Sequence, residues 1–313
     1  MNDFKIKSKL LIKRLFNKVG LQISRAPYQA AGSDELIKAK VGAYQILIPG
    51  NHQLPMYLRN SFYATNLPRL AAAVKAKYAD LTMIDVGANV GDTVALVRSE
   101  TYFPIVCLEG DDDFFKILKT NLENFKDVYP FQRLLGEKEA IINAVLEKSV
   151  GSAETARIND SPLAQGKKSL VLTTLDNFLE TNRSFKKAKL LKIDTDGYDL
   201  KIIRGGRNYI KETKPVLFLE YDPVFLAEQK DDGISTLESL EAIGYQDAIF
   251  YDNCGKFILS ADLSNRLLIK QMHNLIDKNY KTPFPFYDLV LFHRTDSDIA
   301  KKFIAAEMNL FYN

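Results

Sequence analysis

The sequence predicts an α/β fold, a seven-stranded and mostly parallel sheet with helices on both faces. Short apolar runs of strand length alternate with segments whose apolar residues recur at helical spacing, which is the pattern of βα units feeding one sheet. The run at 81–86 is apolar enough for an interior parallel strand, and it breaks into the glycine loop of MIDVGANVGDT (83–93), which opens a helix. With 313 residues, 46% of them hydrophobic, the chain is long enough to bury the core such a sheet needs.

Ahead of the first core strand, residues 43–49 read as a strand, followed by the loop GNHQLPMY and a helix over 68–77 with Leu70, Val74 and Tyr78 at helical spacing. Gly87 and Gly91 then let the backbone turn sharply and approach a ligand. A nicotinamide site needs G-x-G-x-x-G to cradle its pyrophosphate, whereas this loop is D-x-G-x-N-x-G, built on Asp85, Gly87, Asn89 and Gly91, with Thr93 opening the helix. Asp85 stands where that fingerprint has its first glycine. A carboxylate there suits a cationic ligand, and S-adenosylmethionine carries both a sulfonium and an ammonium.

The second strand lies in FPIVCLEGDDD (103–113) and ends at Glu109, followed by Gly110, where an acidic group can accept both hydroxyls of a ribose. Asp111, Asp112 and Asp113 precede Phe114, Ile117, Leu118, Leu122 and Phe125 at helical spacing. With no second ligand cluster nearby they read as helix-capping groups rather than a metal site. A third strand is expected at 128–135, followed by Gly136 and Glu137, and a further strand at 169–173 precedes Leu175 and Asp176, the latter a turn or capping residue.

The fourth core strand, 190–193, delivers Asp194 and Asp196 to one rim of the sheet. If the chain stays extended, both carboxylates face one side. Gly197 permits the turn after them and Tyr198 opens a helix over 198–209, although capping of that helix is the other reading of Asp196. The fifth strand, 215–219, ends at Glu220. Ser235-Thr236-Leu237-Glu238 forms a capping box that starts a helix running to Ile243. Strands at 247–251 and 287–292, separated by a helix over 265–278, complete the seven.

These motifs, together with LLKIDTDGYDLKIIRGG (190–206) and KPVLFLEYD (214–222), resemble the FkbM family of S-adenosylmethionine-dependent methyltransferases. The resemblance implies a class I methyltransferase (Rossmann-like) sheet and its strand order, S-adenosylmethionine as cofactor, and O-methylation of sugars and other glycosylated or polyketide-type acceptors. It places the adenine near Glu137 and puts His52 and Tyr57 near the acceptor mouth, with Tyr198 also against substrate. From the strand ends themselves Asp194, Asp196 and Glu220 are the candidate catalytic carboxylates, with Asp194 positioning the methionine portion of the cofactor or the acceptor and Asp196 taking the proton of the attacking hydroxyl. Family members commonly carry glutamate where this chain has Asp196. On this reading 1–27 is an N-terminal arm, 28–80 a lead-in near the acceptor, and 81–313 the methyltransferase core. For His52, ordering a turn beside Pro55 is an equal reading, and Leu175-Asp176 also resembles a family position, with a turn or capping aspartate an equal reading there.

A formal charge of +3 and a pI near 8.5 are too mild to argue for nucleic acid. Cys107 and Cys254 make no metal spacing and no disulfide framework, so a reducing cytoplasm is the expected location. No apolar run reaches membrane-spanning length, and the N-terminal segment lacks the core of a secretory signal. That segment is a basic amphipathic helix, with Phe4, Leu11, Ile12, Leu15, Phe16 and Val19 on one face and lysines and Arg14 over the rest. It reads either as a docked helix or as a peripheral anchor on the inner face of an anionic membrane.

His52, His273 and His293 accompany no H-E-x-x-H, nucleophile elbow or Walker loop, so hydrolase chemistry is disfavoured, and no metal is expected. Methyl transfer to a saccharide hydroxyl is the leading expectation. An N-methyltransferase and a non-enzymatic scaffold on the same fold remain the alternatives.

Overall fold

A computed structural model describes residues 35–148, 156–159, 167–276 and 284–312, so the basic arm lies outside the described residues. Strands β1 (Leu36–Val41) and β2 (Tyr44–Pro49) pair as an antiparallel hairpin. A single turn α1 (Leu54–Tyr57) and helix α2 (Asn66–Lys77) lead into β3 (Met83–Val86), α3 (Asp92–Glu100), β4 (Ile105–Glu109), α4 (Asp112–Leu122) and β5 (Val128–Gln132). Next, β6 (Leu134–Leu135), β7 (Ala140–Lys148), β8 (Ala156–Asn159) and β9 (Lys168–Thr173) form a separate small sheet in the order β6-β9-β7-β8. The chain continues through α5 (Leu175–Thr181), β10 (Leu190–Ile193), α6 (Asp199–Gly205), α7 (Arg207–Thr213), β11 (Val216–Tyr221), α8 (Pro223–Glu228) and α9 (Gly233–Ala242). It ends with β12 (Tyr245–Asp252), β13 (Phe257–Asp262), α10 (Arg266–Leu275), β14 (Tyr287–His293) and α11 (Ser297–Tyr312).

The large sheet runs β13-β12-β14-β11-β10-β3-β4-β5. Its strands from β11 to β5 are parallel, and β14, β12 and β13 are antiparallel to their neighbours. From β3 the chain builds outward to β5 and then returns to add β10 on the other side, so a crevice opens where β3 and β10 diverge. Alternation along the strands divides the core in two. Ile84, Leu191 and Leu217 pack on one face with Leu200 and Leu237, and Met83, Leu190 and Val216 pack on the other with Leu70, Val94 and Phe303. Arg69 on α2 donates two hydrogen bonds of 2.7 Å to the buried carboxylate of Glu307 on α11, fixing two helices of the second face together.

The large sheet has eight strands rather than seven, because β13 adds an edge strand. Its residues are only half buried, so FILSAD carries little apolar alternation. The strand expected at 128–135 divides at Arg133, its second half pairing with β9 in the small sheet. The helix expected over 198–209 breaks at Gly206, where a Cβ would come within 2.8 Å of Leu175. Asp176 restarts it, its carboxylate accepting the N–H groups of Asn208 and Tyr209 at 3.0 and 2.9 Å. The expected capping box is displaced as well: α9 begins a turn earlier, with the Asp232 carboxylate accepting from Ile234 N–H, and Ser235 Oγ donates to the Asp232 carbonyl. Among the described residues no helix is long and apolar enough to cross a membrane.

Candidate active site

Two cavities meet at the carboxyl ends of the parallel strands, and Asp194 and Asp196 line both. The first, of about 80 Å³, is bounded by Gly87 and Asn89 of the glycine loop, Glu109 and Gly110 after β4, and the apolar side chains of Leu134, Leu135 and Ile202. Gly87 has φ of +78°, and a Cβ there would collide with the carbonyl of Asp194, so only glycine lets the loop and the β10 terminus close on each other. The loop then passes through Asn89 at φ +46° and Gly91 at φ +87°, the residue that starts α3.

Glu109 is 8% exposed and ties two turns together: Asn89 N–H donates to Oε2 and Asp111 N–H to Oε1, both at 2.8 Å. Burial raises its pKa, and these N–H donors work against that shift. Asp111 caps α4 through the N–H groups of Asp113 and Phe114. A carboxylate at the strand end beside an apolar wall suits a nucleoside, offering an acceptor for paired hydroxyls and a slot for a base.

Asp85 is placed differently from the sequence expectation. It is fully buried behind the cavity wall, its Oδ1 3.0 Å from Lys192 Nζ, and it lines neither cavity. The two are register partners across β3 and β10. Burial pushes Asp85 up to about 6, with Lys192 opposing that rise. Burial also works against the charge of Lys192, but Asp85 and Asp194 outweigh it and raise its pKa. Lys192 therefore stays charged; it lies 3.4 Å from the Asp194 carboxylate and holds it at the rim. A lysine inside an otherwise apolar strand was the signal for this pair, since a buried ammonium needs a carboxylate partner.

The second cavity, of about 250 Å³, lies on the α2–α3 face. Its walls come from Tyr57, Tyr63, Phe218 and Phe225, with carboxyl groups from Asp92, Asp194, Asp196, Glu220, Asp222 and Asp288. Asp194 and Asp196 converge here without the extended chain expected from alternation. The strand ends at Ile193, and the turn through Asp196 (φ +50°) and Gly197 (φ +97°) swings the second carboxylate back. Tyr198, ahead of α6, makes no side-chain cap, and the N–H of Gly197 donates to the Asp199 carboxylate at 3.3 Å. Asp199 is itself pushed up to about 7 by burial and then by Asp194. Glu220 rises well above the carboxylate range through burial, then through Asp194, Asp196, Asp199 and Asp222. Asp288, which accepts from Asn66 Nδ2 at 2.7 Å, is pushed up to about 7 by burial.

Several expected contacts are redistributed. Tyr57 lines the second cavity, but His52 is buried beneath the glycine loop, accepting from Leu54 N–H at 3.1 Å; burial lowers its pKa against the opposing influence of Asp92 and Asn89. Tyr198 lines the first cavity, not the second, and Thr93 the second, not the first. Glu137 turns away to pair with Arg204 at 2.9 Å, and Arg133, Leu134 and Leu135 form the wall expected of it. Gly91 shapes the loop from outside either cavity. Lys192, Tyr63, Asn66, Phe218 and Asp288 are site residues that motif reading passed over. Apart from Lys192, they sit in apolar strands and lead-in segments, where a sequence shows only core. His273 and His293 belong to the framework, the first through Tyr221 Oη at 2.8 Å and the second through Ile243 and Thr295.

Residues 85–246, just over half of the chain, match the methyltransferase FkbM domain. Similar solved structures include the methyltransferase FkbM from Methylobacillus flagellatus KT, at 15% identity over 68% of this chain and 44% of that one, with a TM-score of 0.39. The precorrin-6y C5,15-methyltransferase from Geobacter metallireducens GS-15 gives 14% identity over 71% and 86%, with a TM-score of 0.35. The O-methyltransferase from Bacillus cereus in complex with SAH gives 10% over 76% and 88%, with a TM-score of 0.36. The chain thus spans less than half the length of the first of these. A search of curated proteins gives no match.

Proposed function

The chain belongs to the FkbM methyltransferase family, and from that premise we propose that it moves a methyl group from S-adenosylmethionine to a hydroxyl of a saccharide or glycosylated small-molecule acceptor. The observation that supports this most is the pair of adjoining cavities that share Asp194 and Asp196, one shaped for a nucleoside and the other walled by aromatic rings and carboxylates. Rings and acceptor oxygens are what a polyhydroxylated ligand needs for stacking and hydrogen bonding.

S-adenosylmethionine supplies a methyl group already activated on sulfur, so the protein's work is alignment, water exclusion and removal of one proton. Glu109 would hold the ribose hydroxyls, Leu134, Leu135 and Ile202 the base, and Asp194, anchored by Lys192, the methionine portion. Asp196 takes the proton of the attacking hydroxyl. Glu220 lies deeper, 8% exposed, and burial followed by the neighbouring carboxyl groups raises its pKa. The lead-in residues 28–80 contribute Tyr57 and Tyr63 to acceptor binding, and 81–313 form the core. A cytoplasmic location, with the arm at 1–27 held against the inner membrane face, belongs to the same proposal.

Incubation with methyl-labelled S-adenosylmethionine and a saccharide pool should yield a labelled, alkali-stable ether. Label on nitrogen, or no labelled saccharide, would overturn the reading. Calorimetry of Glu109→Ala should show S-adenosylmethionine affinity weakened about tenfold or more, corresponding to charge-assisted hydrogen bonds of about 1.5–3 kcal/mol. Unchanged affinity would remove Glu109 from the cofactor site.

A further inference from the structure

Glu220 and Asp288 are register partners across the antiparallel β11–β14 ladder, so two carboxyl groups stand directly opposite each other on one face of the sheet. Like charges in that position destabilise a ladder. Both line the second cavity and neither lines the first, so the cofactor site does not account for them. Asp288 accepts from Asn66, but Glu220 is 8% exposed and its Oε2 has no hydrogen-bond partner among the described residues. Lys192 is the one cationic side chain among the described residues lining this cavity, and it is already committed, 3.0 Å from Asp85 and 3.4 Å from Asp194. Tyr57 and Tyr63, stacked at 5.0 Å between centroids, add ring faces that attract a cation.

Building on the reading of this cavity as the acceptor site, we infer that the acceptor carries a protonated primary amine that docks between Glu220 and Asp288 while a neighbouring hydroxyl is methylated. An ammonium brings three donors to carboxyl oxygens that the fold leaves without a cation, and its charge relieves their opposition. The same field rejects phosphorylated or sulfated acceptors. It also favours the hydroxyl oxygen as nucleophile, since an amine kept protonated among carboxylates has no lone pair to offer. The acceptor class is therefore an amino sugar or an aminated polyol.

The experiment titrates glucosamine, N-acetylglucosamine and glucose separately into the protein saturated with S-adenosylhomocysteine, and assays the same three for methyl transfer. Glucosamine should bind about tenfold or more tighter than the other two, the effect of one charged hydrogen-bonded contact, and Glu220→Gln should bring the three to within about twofold. Equal binding of all three, no glucosamine binding, or a preference that survives in Glu220→Gln overturns the inference. If neutral sugars are O-methylated with no preference for the amine, the saccharide reading stands and the amine does not. If glucosamine shows the Glu220-dependent preference but no sugar is methylated, the amine site stands and the saccharide reading fails. Thermal melts of Glu220→Gln confirm that a lost preference is not lost folding.

Discussion

Asp196 holds its carboxylate at the junction of the two cavities only because its backbone adopts φ of +50°, a left-handed conformation costly for most residues and least so for aspartate and asparagine. Such strain is found where a site over-determines the chain. Asp196→Asn keeps both the size and the tolerance for this conformation but cannot accept a proton. It should lower kcat by about a hundredfold to ten-thousandfold, the range of a positioned general base, and leave S-adenosylmethionine affinity nearly unchanged. Turnover beside cofactor titration checks this, and near-normal kcat would leave positioning alone as the source of catalysis. Asp194 answers to a different neighbour: Lys192, held by Asp85, sets where it points.

At the level of elements, the glycine loop works as a hinge-free corner between β3 and α3. Its dependence on Gly87 is steric as well as conformational, since any Cβ there meets the Asp194 carbonyl. Gly87→Ala should cost about 1–2 kcal/mol from the left-handed backbone alone, and more from displacing Asp194. Gly136→Ala is the matched control. Its Cβ would find Leu172 at 3.5 Å, an ordinary contact, and its change should stay within about 1 kcal/mol. Denaturant unfolding of both variants, with cofactor titration, separates a local steric requirement from a general intolerance of substitution.

Across the whole molecule, one cluster of buried carboxyls couples stability to pH. Asp288 and Asp199 are both pushed to about 7 in the folded protein, by burial first, against 3.8 as ordinary aspartates. Between those values the folded state keeps protons that the unfolded chain has released. The stability these groups contribute is therefore complete below about pH 4 and is lost as pH rises through 7. Asp288→Asn keeps an acceptor for Asn66 and removes one such proton, so its melting temperature relative to the parent should rise between pH 5 and pH 8. A difference that is flat over that range would show that Asp288 does not carry the proton.

The sequence by itself determined the βα organisation, the glycine loop and the carboxyl ends of the strands, because these depend on local chemistry. An apolar strand, a glycine turn and a terminal acid are each legible within about ten residues. Glu109, Gly87, Asp194, Asp196 and Glu220 could be marked for that reason. Only the tertiary structure decided which face each group serves. Register across β3 and β10 turns Asp85 from a ligand group into the partner of Lys192, and register across β11 and β14 sets Glu220 against Asp288. His52 and Glu137 sit at plausible positions in the chain, yet packing sends one beneath the loop and the other to Arg204. Pairing between residues distant in sequence is absent from any local pattern, and here that pairing separates the first cavity from the second.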